Sequence, residues 1–235
     1  AQDDVCKGLV LEHPDEMDLL VELVRFREDD LYRERMAHLG WRITSQKHTF
    51  AHRIRSICDT VGITHDWKEY PKASLITPTY RREMLTRCKE TFECQTYENK
   101  ELILVFNGDD LPAYSELGFD VPEDNVKIIN VPSELFAGAC LNQGHLIADG
   151  EYCFRVDDDD FYGPNYILDM ILQARCVEAD LFGKPPSPVY FEDDNFLYLR
   201  RFVLTFCIVT DELLKNGKVW LGGNSISGKK TFFTK

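Results

Sequence analysis

A chain of 235 residues with 44% apolar and 29% charged side chains can bury a sizeable core, as one domain or one plus a smaller piece at roughly 150 residues per domain. Its 27 Lys and Arg against 40 Asp and Glu leave a net charge of −13, which argues against bulk binding to nucleic acid or to an anionic membrane. No apolar run approaches the ~18–20 residues of a membrane span, and Phe202–Val209 has eight.

The N-terminal AQDDVCKG is acidic and lacks the basic-then-apolar pattern of a signal peptide. Residues 1–70 read as an all-helical segment. After Pro14-Asp15, Met17, Leu20, Val21 and Val24 follow the spacing of one helical face. A second helix follows Asp29-Asp30, carries Leu31, Met36 and Leu39, and is expected to stop at Gly40. A third is expected between an N-cap at Thr49 and a stop at Gly62, with Phe50, Ile54, Ile57, Cys58 and Val61 inward. Three such helices make a thin core and call for something else to pack on. Thr64–Lys72 reads as a linker.

From Ala73 the pattern changes. Ala73–Thr77, Leu102–Phe106, Val126–Val131 and Tyr152–Val156 read as buried strands. The first runs into Pro78, the second into Asn107-Gly108, and the fourth directly into four aspartates. Helices are expected over Glu83–Gln95, from a Ser133 cap to Ala148, and onward from Asn165. This alternation predicts an α/β fold, a mostly parallel central sheet flanked by helices. In such sheets the ligand site lies outside the carboxyl ends of the strands. The residues Pro78-Thr79-Tyr80, Asn107–Asp110 and Asp157–Asp160 would converge there if their strands are neighbours. The eight cysteines contain no C-x-x-C pair and read as small buried hydrophobes of a reducing cytoplasm, with Cys58, Cys88 and Cys176 on apolar sides.

Asp157-Asp158-Asp159-Asp160 is the most informative feature. Four adjacent carboxylates repel one another, so a compensating cation is expected. Continued strand alternation would point Asp157 and Asp159 the same way, as a D-x-D pair. Such oxygen ligands suit Mg²⁺ or Mn²⁺ bridging to substrate phosphates. In isolation the four would read equally well as a solvated acidic turn; their place after a buried strand and before Phe161-Tyr162-Gly163-Pro164 favours the metal site.

Three segments in this order resemble a family 2 glycosyltransferase of the GT-A fold. They are ASLITPTYRR (73–82), ELILVFNGDD (101–110) and FAGACLNQGHLIADGEYCFRVDDDDF (136–161). LGGNSISGKKTFF (221–233) fits the later part of that domain more loosely. The resemblance implies a metal-dependent enzyme that moves a sugar from a nucleotide-diphosphate sugar, a UDP-sugar by preference, to a glycan or other hydroxyl acceptor with inversion. It implies that Pro78, Thr79 and Tyr80 line the nucleoside pocket, with the Tyr80 ring on the base. Asn107 stands where the family has an Asp that reads the uracil edge, and Asn142 is a further pocket contact. Asp159 would be the chief ligand of Mn²⁺ or Mg²⁺, with Asp157 and Asp158 assisting at ribose and diphosphate. Taken singly, Tyr80 and Asn142 read equally as packed or helix-surface residues.

The family's general base follows the GGNSISG-like segment in an acidic motif, which is expected beyond Lys235; Asp211-Glu212 and Glu192-Asp193-Asp194 are weak substitutes. The expected domains are therefore 1–70 and an incomplete 71–235. Residues 16–57 resemble the C-terminal helical tail of a GT-B, spore-maturation-like group 1 transferase, on a helix pair followed by His48-Thr49-Phe50 and Arg53. That leaves room for other modules of the same polypeptide, in a cytoplasmic setting. His48 and His52 share an i, i+4 face but show no third ligand. The alternative to an enzyme is a noncatalytic nucleotide-sugar-binding module. A Ca²⁺ loop is disfavoured because the aspartates lack the spaced ligand pattern of an EF-hand.

Overall fold

Asp15 opens the first helix, α1 (Glu16–Glu28), by accepting the Met17 N–H at 2.7 Å. Asp29 ends α1 and caps α2 (Asp30–Lys47), accepting the Tyr32 N–H at 2.9 Å. Helix α2 runs through Gly40, where a stop was expected. An interior glycine costs only about 1 kcal/mol, and the His38 and Trp41 rings stack across it at 5.2 Å. Helix α3 (Phe50–Val61) has both expected caps, the Thr49 side chain and a left-handed Gly62 at φ +71°. The computed structural model describes residues 15–67, 70–119, 124–184, 189–198 and 221–234. Phe202–Val209, Asp211 and Glu212 lie outside them. The chain divides into two compact units, residues 1–69 and 70–235.

In the first unit no residue of α1, α2 or α3 is buried. Phe50, Ile54, Ile57 and Val61, expected inward, stand exposed. His48 Nδ1 pairs with Arg53 Nη2 at 2.9 Å and His52 Nδ1 with Thr49 Oγ1 at 2.7 Å, so each histidine has its own local partner.

The second unit is built on β1 (Ala73–Thr79), β2 (Lys100–Asn107), β3 (Val126–Val131), β4 (Tyr152–Arg155), β5 (Leu181–Phe182) and β8 (Ser227–Lys229). They form one sheet in the order β3-β2-β1-β4-β8-β5. The first four are parallel, and β8 is antiparallel to β4 and β5. A separate hairpin pairs β6 (Val189–Phe191) with β7 (Phe196–Tyr198). The helices are α4 (Leu85–Glu93), α5 (Ala137–Ile147), α6 (Tyr166–Val177) and the short α7 (Lys230–Phe233).

The sheet's alternation supplies two core faces. On one, Ile76, Ile103, Val105, Val131 and Cys153 cluster with Cys140 and Ala148 beside α5. On the other, Leu75, Leu102, Leu104 and Phe154 are fully buried, and α6 sets Tyr166 edge-on to Phe154 at 6.2 Å. At the amino end of the sheet, Glu101 Oε1 accepts from Ser74 Oγ, Asp149 N and Gly150 N, while Oε2 lies 3.1 Å from both Lys72 Nζ and Lys127 Nζ. Burial pushes the Glu101 carboxyl up, but these donors outweigh it and hold the group below the usual carboxylate range.

Two boundaries and the burial of one cysteine differ from expectation. Strand β1 continues through Pro78 to Thr79. Val156 donates to the Ile76 carbonyl, so residues of that parity face β4. The missing N–H of Pro78 thus faces the side where the β4 ladder has already ended at Ile76. Helix α5 starts after Phe136, not at Ser133, and has no side-chain cap. The chain turns first, with the Leu135 N–H on the Pro132 carbonyl at 3.1 Å. Asn107 Nδ2 secures that turn from the end of β2, donating to the Pro132 and Leu135 carbonyls. Cys176 is exposed, because it falls on the outer side of α6's last turn. The six cysteines among the described residues are free thiols, and burial pushes that of Cys88 up to about 12.

Candidate functional site

Strands β2 and β3 lie on one side of β1, and β4 lies on the other. The strand order therefore reverses between β1 and β4, the place where open α/β sheets bind ligands at their carboxyl ends. Two polar segments leave the sheet there, Thr79–Arg82 from the last residue of β1 and Asp157–Asp160 after β4.

They meet through Arg81. Its Nε donates to Asp158 Oδ2 at 3.1 Å, and its Nη2 donates both to Asp158 Oδ1 and, at 2.9 Å, to Asp159 Oδ2. Thr79 Oγ1 donates to the same Asp158 carboxylate and accepts the Arg81 N–H at 3.0 Å, which fixes the arginine's backbone. Arg87 Nη2 adds a bond to the Asp159 carbonyl at 3.1 Å. Asp158 is buried, whereas the Asp159 side chain is 53% exposed. Hydrogen bonding from Arg81 holds the Asp159 carboxyl below its ordinary range despite some desolvation.

The flanking aspartates have partners of their own. Arg155 grips Asp157 with two bonds, Nε to Oδ1 at 2.7 Å and Nη2 to Oδ2 at 3.0 Å. Asp160 Oδ2 accepts from Asn224 Nδ2 at 2.7 Å. The buried Tyr162 hydroxyl accepts the Asp157 N–H at 2.9 Å and donates to the Asn224 carbonyl at 2.8 Å. The short 3-10 turn at Gly223–Ser225, just before β8, thereby clamps the aspartate loop.

This arrangement alters two expectations. Two of the four aspartate charges are already offset by a guanidinium, from Arg81 and Arg155, while Asp160 has only the neutral Asn224 amide. Asp157 and Asp159 do not share a partner; Asp158 and Asp159 do. Strand alternation stops with the ladder at Arg155, and the chain bends through Asp158–Asp160.

Among the described residues no three His, Cys, Asp or Glu side chains form a ready metal cage. A hard divalent ion, however, is usually bound by one or two carboxylates together with substrate phosphates. Asp159 and the adjacent Asp158 are oxygen donors of that kind. The donor set fits an ion that arrives with a diphosphate and does not fit one held by protein alone.

The other expected residues surround this cluster unevenly. Pro78 stands opposite Val105 in the β1–β2 ladder. Tyr80, next to Arg81, is 71% exposed, with its ring 5.8 Å from the Arg81 guanidinium carbon. Asn107 ends β2 with its amide nitrogen committed to the Pro132–Leu135 turn. Asn142 is on an exposed side of α5. Glu192-Asp193-Asp194 occupies the exposed turn of the β6–β7 hairpin. Arg81, Arg155, Tyr162 and Asn224 were not among the expected site residues. Arg155 carried a signal, as the one charge in the otherwise apolar YCFRV.

Comparison with known proteins adds independent findings. The family model described as glycosyl transferase family 2 matches residues 74–209. Glycosyltransferase GlyG of Streptococcus pneumoniae serotype 4 is 31% identical over 138 residues, covering 57% of this chain and 45% of that protein. An uncharacterized glycosyltransferase of Haemophilus influenzae is 33% identical over 101 residues, covering 40% and 37%. Residues 1–349 of S. aureus TarS, solved in complex with UDP-GlcNAc, superpose with a TM-score of 0.50 at 15% identity, over 68% of this chain and 46% of that one. That likeness shows the fold. The chain spans less than half the length of each of these proteins. Among the described residues no helix is long and apolar enough to cross a membrane.

Proposed function

The chain belongs to glycosyl transferase family 2, and from that premise we propose that it moves a sugar from a nucleoside-diphosphate sugar to a glycan or other hydroxyl acceptor, inverting the anomeric carbon. The observation that carries the reading is the junction of the β1 and β4 ends, where Thr79 and Arg81 bond to Asp158 and Asp159. A nucleotide laid across that switch point would meet Tyr80 on one side and the aspartates on the other.

In this reading the exposed Tyr80 ring stacks on the base, beside Pro78. Thr79, its hydroxyl already on Asp158, shapes the pocket wall. Asn107 offers its free amide oxygen to the base edge, since its nitrogen is engaged. Asn142 is the outermost contact. Asp157, gripped by Arg155, serves the ribose end, and Asp159 is the chief ligand of Mn²⁺ or Mg²⁺, assisted by Asp158 at the diphosphate. When bound, the ion neutralises the charge that develops on the departing nucleoside diphosphate. The acceptor oxygen attacks the anomeric carbon as the sugar–phosphate bond breaks, and a general base takes its proton. No described carboxylate is assigned as that base. The 1–69 helices form a separate module in this reading, akin to a GT-B tail; the Thr49-capped helix with its His48–Arg53 bond supports the likeness.

The test is thermal unfolding with UDP-GlcNAc, the ligand of the TarS complex, and Mn²⁺. Both together should raise Tm more than the sum of each alone, and Asp159→Ala should remove the metal's part. A metal-dependent shift unchanged in Asp159→Ala sinks that assignment. The committed amide nitrogen of Asn107 favours a second reading, a noncatalytic sugar-nucleotide-binding module. Binding without transfer, both by this chain and by a longer chain carrying further residues, would select it.

A further inference from the structure

The Arg81 guanidinium sits between the two carboxylates that would receive a divalent ion. It holds Asp158 through two nitrogens and Asp159 through one. Its backbone is pinned by Thr79, and its side chain is 26% exposed, so solvent and ligands can reach it. A guanidinium and a divalent cation cannot share these oxygens at short range, because like charges repel. The planar fork that fits a carboxylate fits a phosphate equally well.

We propose that Arg81 is the built-in counter-cation of the Asp158–Asp159 pair, which yields those oxygens to a divalent ion only when a diphosphate is present to receive the guanidinium. This deepens the glycosyltransferase reading and rests on it. Metal alone must compete with an intramolecular cation already in place. Diphosphate alone meets two carboxylates that repel it. Bound together, the ion takes the carboxylates and Arg81 takes the phosphate oxygens, so each ligand raises the affinity of the other by the same factor. The device would keep the site from loading metal without donor.

The experiment is a Mn²⁺ titration of the full chain, following free Mn²⁺ by its electron paramagnetic resonance signal, with and without saturating UDP. The wild type is expected to bind Mn²⁺ at least about tenfold more tightly with UDP, a gap of about 1.4 kcal/mol. Arg81→Gln, which keeps the stem and a polar end but neither the charge nor the fork, should bind Mn²⁺ alone about tenfold more tightly than wild type and gain little from UDP. Arg81→Lys keeps the charge without the fork and should fall between them. If Arg81→Gln does not fold, as judged by its circular dichroism melt, the Lys variant carries the comparison against wild type. Mn²⁺ affinity without UDP that is the same in the folded variants and wild type overturns the proposal while leaving the glycosyltransferase reading intact. Failure of the wild type to bind Mn²⁺ even with UDP overturns that reading, and the proposal with it.

Discussion

Arg155 and Asp157 form a two-point ion pair across two positions of one strand end, with bonds of 2.7 and 3.0 Å. Both side chains are largely shielded, at 30% and 20% exposed, and the arginine is held firmly in its charged form, chiefly by hydrogen bonding to Asp157. Asp157 is therefore a structural anion first. Asp157→Asn should lower stability by about 1–3 kcal/mol by leaving a shielded guanidinium half-paired. It should reduce the joint UDP and Mn²⁺ effect on Tm less than Asp159→Asn does. Urea unfolding and thermal shift on the two variants check both halves of the expectation.

Tyr162 ties the first aspartate to the turn before β8, through the Asp157 N–H at 2.9 Å and the Asn224 carbonyl at 2.8 Å. Its ring is buried, so Tyr162→Phe removes the hydroxyl without removing the packing. The expected cost is about 1–2 kcal/mol for the two backbone groups left short of a partner. The joint ligand effect on Tm should weaken without vanishing, since Asp160 still has Asn224. An unaltered ligand response would show that the clamp plays no part in holding the aspartates.

Features written in neighbouring residues were legible in the sequence. Thr49 and Gly62 bound α3 as expected because both caps act within a turn of the helix they close. Strands β1, β2 and β4 were readable because they are buried on both faces and hence largely apolar, and the half-buried β3 from its valines and paired isoleucines. What was lost depends on distant partners. Asn107 overrides the Ser133 cap from the end of another strand. Arg81 reaches Asp158 across 77 positions, so the guanidinium beside the aspartates could not be read from their neighbours in the sequence. Gly40 misled for a local reason, the His38–Trp41 stack that carries α2 across it.

The approach of α5 to the sheet depends on Gly144. A Cβ there would lie 2.3 Å from Ile76 Cγ2 and 3.2 Å from Val105 Cγ2, both on rigid, fully buried side chains. Gly144→Ala gains helix propensity but forces α5 off β1. The overpacking should dominate, costing about 1–3 kcal/mol, visible as a lower urea midpoint at unchanged slope. Equal or greater stability would mean that the helix can shift freely.

His145, one position on, is buried and stacks on Phe233 with ring centroids 4.2 Å apart. Burial holds the imidazole pKa below its ordinary value, against a smaller upward pull from the Leu141 backbone. The unfolded chain therefore takes up this proton first, at about pH 6.5. The stability that neutral His145 contributes is present above that pH and is lost as pH falls from there through the folded pKa. Removing the titrating group with His145→Leu should flatten the decline of Tm between pH 7.5 and 5.5 relative to wild type. The carboxylates held below their ordinary range, Glu101 and Asp159 among them, titrate at lower pH and leave this window clear. Parallel declines in the two proteins would assign the loss to other groups.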